Sequence, residues 1–409
     1  MSTDDQEQAE DTRRNSPQSL LTIFCLLVAL LLGSLTYYYS GIQYIALFIT
    51  GILIGFTLFH ARFGFASVYR QLIETGNTQM LRAHMLMLAT AATLFAPIFI
   101  FELGFFDAHP SPALSPLSTG LFVGSFLFGF GMEMGSGLAP SSLYKAEGGR
   151  TAMILTLFGF TSGATAGAAH FGFWNESLPA ASEFSLATDT ALGYPGAWGV
   201  QLAIFITLAI GSYIYKKRTH PPLLPALPSA TGWKQIIFGS WPLWAGATVL
   251  ALLNALVLLI RGEPWVLTSA FSVWGAKIVE FLGMDASGWG YWGAVEDLEA
   301  LHLPVWMNST SVLNFGVIIG TFITLTLGGL IRFAKIPLYI GVMALGGGLL
   351  MGYGATIAFG ANVGAYFSGI ASFSLHAWIW TIMAILGVYT AYYLERLFDF
   401  TRAGSKGKG

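Results

Sequence analysis

Charge is scarce in this chain: Lys, Arg, Asp and Glu make up 10% of its residues, against 55% hydrophobic ones. That balance excludes an ordinary soluble domain and a disordered chain alike. The formal net charge of −2 implies no nucleic-acid partner. Cys25 is the lone cysteine, so no internal disulfide forms, and a thiol inside an apolar run is expected to be packed rather than reactive. Enzyme signatures are missing as well. There is no Walker loop, no dinucleotide fingerprint after a strand, no HExxH and no defensible Ser/His/Asp set. The expectation is a protein that is not an enzyme and that holds neither metal nor cofactor.

What the chain has instead is apolar runs long enough to cross a hydrocarbon core of roughly 30 Å. They lie near 20–39, 43–60, 83–103, 118–137, 151–172, 196–215, 235–259, 311–331, 337–359 and 375–395. Two shorter stretches, 264–282 and 362–373, read as re-entrant or interfacial. The expected fold is therefore an all-α polytopic membrane protein of about ten transmembrane helices plus short re-entrant helices. On this span list every Lys and Arg except Arg261 and Lys277 faces one side, and the opposite loops 104–117 and 173–195 carry neither residue. The positive-inside rule then places both termini in the cytoplasm. The first span follows an acidic, polar segment without a small-residue cleavage site, so it reads as an uncleaved helix.

A glycine-rich segment, GFGMEMGSGLAPSSLY (Gly129–Tyr144), returns near the C-terminus in the same register as GYGATIAFGANVGAYF (Gly352–Phe367). Gly129, Gly131 and Gly137 fall on Gly352, Gly354 and Gly360. With the spans above, the two strips run in opposite directions, so the repeat is inverted. Paired, glycine-interrupted apolar segments in corresponding halves point to a binding site at the membrane midplane. The expected organisation is a disordered cytoplasmic N-terminus (1–19), a first transmembrane half (20–215), a Pro-rich cytoplasmic linker (216–234), a second half (235–397) and a cytoplasmic tail (398–409). Prolines 221, 222, 225 and 228 forbid a continuous helix through the linker.

These motifs resemble those of the YeeE/YedE family of bacterial inner-membrane proteins. The residues that carry the likeness are RFGFASVYRQLIETGNTQMLRAH (Arg62–His84), GFGMEMGSGLAPSSLYKAEGG (Gly129–Gly149), GEPWVLTSAFSVWGAK (Gly262–Lys277) and GGLLMGYGATIAFGANVGAYFSGIASFSLHAW (Gly347–Trp378). The resemblance implies two pseudo-symmetric helical halves with short helices dipping toward the middle. It also implies import of thiosulfate or handling of sulfur and selenium compounds. The family's path cysteines, thought to touch thiosulfate by weak S–H contacts, are replaced here by Gly64, Leu138 and Ala361. Where relatives often carry arginine this chain has Thr356, and where they carry an apolar residue or glutamine it has Glu133.

Candidate path residues follow from both lines of reasoning. Glu133 stands inside an apolar span, where an ionised group costs roughly 2.5–3.5 kcal/mol on insertion scales, so it reads as a proton carrier, cation ligand, substrate contact or capped carboxyl. Asn362 offers an amide to a substrate oxygen or caps a short helix. Ser136, Ser141 and Ser142 supply hydroxyls or pack helices, beside the backbones of Gly137 and Gly360. Tyr144 and Tyr366 read as walls of the passage or as interfacial anchors. Arg62 and Arg261 stand at matching half-ends and either steer an anion or snorkel to headgroups. Lys277 faces a polar vestibule or pairs with Glu280, and His170 and His376 are expected at the interface. Trp174, Trp198, Trp241, Trp265 and Trp378 form the expected aromatic belt.

The expected partners are the lipid bilayer and a small solute or ion. The expected function is transport of a sulfur- or selenium-containing anion such as thiosulfate. The rival readings are a non-sulfur solute, or a non-transporting scaffold that docks a small cytosolic sulfur-carrier protein.

Overall fold

The computed structural model describes residues 18–61, 68, 69, 71, 72, 75–137, 148–221, 239, 241–329, 331 and 335–406. It is a bundle of long helices: α1 (Ser19–Ala61), α2 (Gln79–Ile100), α3 (Thr119–Gly137), α4 (Gly148–Ala169), α5 (Gly193–Thr219), α6 (Leu243–Arg261), α8 (Ser309–Leu327), α9 (Leu338–Ile357) and α10 (Leu375–Lys406). A shorter helix, α7 (Thr268–Phe281), follows α6. Eight of these helices are long and apolar enough to cross a membrane. The first of them is two passes, because α1 folds back on itself at Gly41, whose φ of 76° is left-handed and suits glycine. A Cβ at Gly33 would lie 3.2 Å from Ile45, which shows the two limbs side by side. The segment 19–61 thus accounts for both of the first two expected spans.

Small residues set how closely the helices approach. Along the α1–α8 seam, a Cβ on Gly51 or Gly55 would strike the carbonyl oxygen of Leu313 or Val317. The two glycine strips behave the same way. They do not line an open route between them; α3 and α9 pack directly on each other, antiparallel, with Gly124 against Gly354 and Gly131 against Gly347. On its other side α9 lies along α4, where Gly348 meets Thr156 and Gly352 meets Phe160. Elsewhere α3 packs on α10, and α2 packs on both α5 and α6.

Several local expectations are corrected. Helix α6 starts at Leu243 rather than 235, after the Pro242 cap. Helix α10 continues past 397 to Lys406. The two stretches too short to span do form short elements, as expected: 264–282 contains α7, and 362–373 folds as a π-helical turn (Asn362–Ser368) followed by a single α-turn (Gly369–Ala371). Trp265 is not part of an interfacial belt but is buried, 2% exposed. His376 is likewise internal: its Nδ1 lies 2.6 Å from the Ser374 hydroxyl. One short antiparallel pair, β1 (Pro116–Ser118) with β2 (Ala180–Glu183), ties together the loops at one end of the bundle.

Candidate functional site

The second strip ends in a break of the backbone. Helix α9 stops at Ile357, and Phe359 and Gly360 take φ of 61° and 150° before the turn at Asn362 begins. A left-handed phenylalanine is strained, and such strain persists only where surrounding contacts over-determine it. Here the Gly360 amide donates to the Ala355 carbonyl at 2.8 Å, and the Trp380 indole donates to the Gly360 carbonyl at 3.1 Å. Ala361 accepts from the Ala365 amide at 2.9 Å and is buried. The side-chain amide of Asn362 then reaches across to the first strip, with its Nδ2 3.4 Å from the Met132 sulfur. Glu133, the next residue on α3, is buried at 2% exposure.

The break brings Asn362 against Met132, the residue before Glu133, so the turn that follows the second strip folds back onto the middle of the first. Thr356 lies on a different side of α9. Its hydroxyl sits 3.2 Å from that of Ser272 on α7 and donates to the Gly352 carbonyl at 3.0 Å. Gly64, Leu138 and Ser141, together with Ser142, Tyr144 and Arg62, lie outside the described residues, as does the side chain of Ser136; the backbones of Ser136 and Gly137 close the last turn of α3. Tyr366 is buried, edge-on to His84 at 6.1 Å, which excludes an interfacial anchor.

A buried polar knot holds the re-entrant segments, and its centre, Asn254 on α6, carried no sequence signal beyond being an amide in an apolar run. Its Oδ1 accepts from the Trp265 amide at 2.9 Å and its Nδ2 donates to the Ser368 hydroxyl at 3.1 Å. Ser368 in turn donates to the Trp265 carbonyl at 2.8 Å. One side chain thus joins α6 to the connecting segment that leads into α7 and to the turn after the break. Gln201 on α5 adds a further tie by donating to the Ile370 carbonyl at 2.9 Å.

At the end of the bundle that carries loops 101–118 and 262–308, a cavity of about 500 Å³ opens against the break. Its wall includes Phe359 and Val266, and Val266 packs on Gly364 of the turn. Arg261, last residue of α6, contributes the guanidinium; its Nη2 lies 2.6 Å from Glu263, and its Nη1 is buried with no hydrogen-bond partner among the described residues. Glu296, also in the cavity wall, accepts from Asn308 Nδ2 at 3.2 Å, while Asn308 Oδ1 caps α8 by accepting from the Ser311 amide at 2.8 Å. Lys277 does not face this cavity. It donates to the carbonyls of Leu301 and Leu303 at 2.5 and 2.6 Å and so pins the loop that carries Glu296.

Burial raises the Glu296 carboxyl above the usual carboxylate range, opposed by the nearby Arg261 charge and by hydrogen bonds from Ser269 and Asn308. The folded protein therefore binds this proton more readily than the unfolded chain does. Its contribution to stability is present below the unfolded value and is lost as pH rises through the raised folded one. Thermal unfolding followed from mildly acidic to neutral pH should show a loss of stability that Glu296→Gln removes. An unchanged pH dependence in the variant would refute this assignment.

Residues 60–390 match a family described as Sulphur transport. The chain is 32% identical over 130 residues to a probable transporter YedE of Salmonella typhimurium, a match that covers 31% of each protein. It thus spans about a third of that relative's length. The thiosulfate transporter TsuA of Spirochaeta thermophila is 26% identical over 363 residues, covering 83% of this chain and 97% of that protein. TsuA of Escherichia coli is 24% identical over 363 residues, covering 85% and 93%.

Proposed function

Because the chain belongs to the sulphur-transport family, we propose that it moves a small sulfur- or selenium-containing anion such as thiosulfate across a bacterial inner membrane. It does so as a carrier rather than as an enzyme. The observation that supports this most is the crossed pairing of helices between the halves. The second limb of α1 packs on α8 while α6 packs on α2, and α3 packs on α10 while α9 packs on α4. The first limb of α1 also lies against α8, as α5 lies against α2. Such an exchange is what two inverted units, about 20–215 and 235–397, would make around a central axis, and it is the geometry of alternating access. The pairing is equally regular when α5 is counted with the second unit. On this reading the bias of Lys and Arg to one side supports cytoplasmic termini, and with them a 500 Å³ cavity that opens to the opposite side.

The path would run from the cavity past Phe359 and Val266 to the broken backbone at Gly360–Asn362, and on toward Met132 and Glu133. The amide of Asn362 and freed backbone N–H groups would serve an oxyanion. Thr356, Gly64, Leu138 and the serines Ser136 and Ser141 remain proposed contacts by position in the repeat. Without thiols at Gly64, Leu138 and Ala361, the solute would be held by amide and hydroxyl donors rather than relayed between sulfurs.

The closed seam between the strips favours a second reading: a non-transporting scaffold with a docking face for a small cytosolic sulfur-carrier protein. Labelled thiosulfate uptake into cells lacking their own importers separates the two. Expression of this chain should raise uptake several-fold over empty vector, and Glu133→Gln should lower it if that carboxyl carries a coupled proton. No uptake with the protein present in the membrane would reject the thiosulfate reading and leave the scaffold or another solute.

A further inference from the structure

We propose that the cavity beside Arg261 selects a zwitterionic solute, one with an ammonium group a few bonds from a sulfonate or similar sulfur oxyanion, ahead of a bare dianion. The inference rests on the transport reading and replaces the bare anion of that reading with a zwitterion that carries a sulfur oxyanion at one end. Three observations carry it.

The first is the charge set. Among the described residues lining the cavity, Arg261 is the one cation, and Glu263, Glu296 and Asp297 are all carboxylates. A doubly charged anion arriving there meets more repulsion than attraction, and in a partly desolvated cavity that repulsion is poorly screened. A solute with charges of both signs meets a partner for each.

The second observation is the placement of the donors. Arg261 is held by Glu263 on one nitrogen only. The other, Nη1, is buried in a side chain that is 11% exposed, so one edge of the guanidinium is committed to the protein and one is not. A planar guanidinium edge suits a sulfonate or carboxylate. Glu296 stands on a separate segment of the wall, fixed by Asn308 at the start of α8 and within electrostatic reach of Arg261. Tyr44 also lines the cavity, and an aromatic ring in such a wall favours an ammonium.

The third is size. A volume of about 500 Å³ falls in the range of about 300–1,000 Å³ that holds small organic ligands, and is far roomier than a five-atom anion requires. The apolar part of the wall, Phe359 and Val266, would cover the short carbon linker between the two charged ends.

The test uses the full-length protein in lipid nanodiscs and isothermal calorimetry near neutral pH with three probes. Taurine carries an ammonium and a sulfonate, propane-1-sulfonate replaces the ammonium by a methyl group, and thiosulfate is the dianion. Taurine is expected to bind at least ~10-fold more tightly than either of the others, equivalent to about 1.4 kcal/mol. Glu296→Gln should collapse the difference between taurine and propane-1-sulfonate, and Arg261→Gln should weaken both sulfonates alike. Equal or tighter binding of propane-1-sulfonate or thiosulfate, no taurine binding at millimolar concentration, or a taurine preference that survives Glu296→Gln would each overturn the proposal. If either variant fails to fold, the comparison of three probes on the native chain still decides it. Thiosulfate uptake without a taurine preference rejects the zwitterion site and leaves transport standing. A taurine preference without uptake of any probe rejects transport and leaves the site.

Discussion

Gly352→Val is expected to leave little or no folded protein in the membrane, whereas Gly211→Ala is expected to fold at least as well as the native chain. The two glycines look alike in the sequence, each inside an apolar helix. At Gly352 a Cβ would fall on the Phe160 carbonyl oxygen and lie 2.8 Å from the Ala164 amide nitrogen, so the obstacle is backbone, which no rotamer change relieves. At Gly211 nothing lies within 4 Å. Overpacking an ordinary core costs about 1–3 kcal/mol because side chains and backbone shift to accommodate it. Here α9 would have to lift off α4 along its length, and because α9 also packs on α3, relief on one face disturbs the other. The expected loss therefore exceeds that range. Gly211→Ala instead exchanges glycine for a better helix former, worth about 1 kcal/mol in the stabilising direction where nothing clashes. Membrane yield and size-exclusion behaviour of the two variants, prepared in parallel, give the answer. A well-folded Gly352→Val protein would mean that α4 and α9 do not meet as described.

Asn254→Leu is the second large effect. The substitution replaces an amide by an apolar group of similar size in a fully buried site, so packing volume changes little. What is lost is the acceptor for the Trp265 amide and the donor to the Ser368 hydroxyl. A buried backbone N–H left without a partner costs about 1–3 kcal/mol, and Ser368 loses one of its two bonds besides. Asn254→Asp keeps the acceptor but removes the donor, and it places a carboxylate in the bundle interior at a cost of roughly 2.5–3.5 kcal/mol if ionised. Both variants should therefore unfold earlier than the native chain in detergent. Leu252→Ala, two residues away and 50% exposed, should change stability little. If Asn254→Leu proves as stable as the native chain, the polar knot does not contribute to the stability of the fold. Reduced uptake at unchanged stability would show instead that the knot sets the position of the broken segment.

The closed seam between α3 and α9 bears on both experiments. Two helices in contact glycine to glycine bury backbone dipoles against each other and leave no room for a solute between them. Passage would need either separation of that seam or a route around its end, where Gly360 and Asn362 depart from the helix. The break is held by hydrogen bonds to Ala355 and Trp380, so it is ordered while the seam is closed.

Number, length and apolar character of the helices were legible in the chain itself, because crossing a hydrocarbon layer is a local demand that each segment meets by its own composition. The fold at Gly41 was legible as the gap between two runs, and the re-entrant turn after Gly360 as a stretch too short to span. The inverted relation of the strips followed from the same span count. Tertiary structure alone decided what those strips touch. Glycine spacing marks close approach without saying to which neighbour, so a seam and a solute route read identically until the partner helix is in place. It alone decided that Trp265 and His376 are internal, since an aromatic or imidazole at the end of a run fits a lipid interface as well as a re-entrant fold. The same holds for Asn254 and for the cavity of Arg261, Glu263 and Glu296. Their importance lies in which polar group stands opposite them across distant parts of the chain, and composition along one segment carries no record of that.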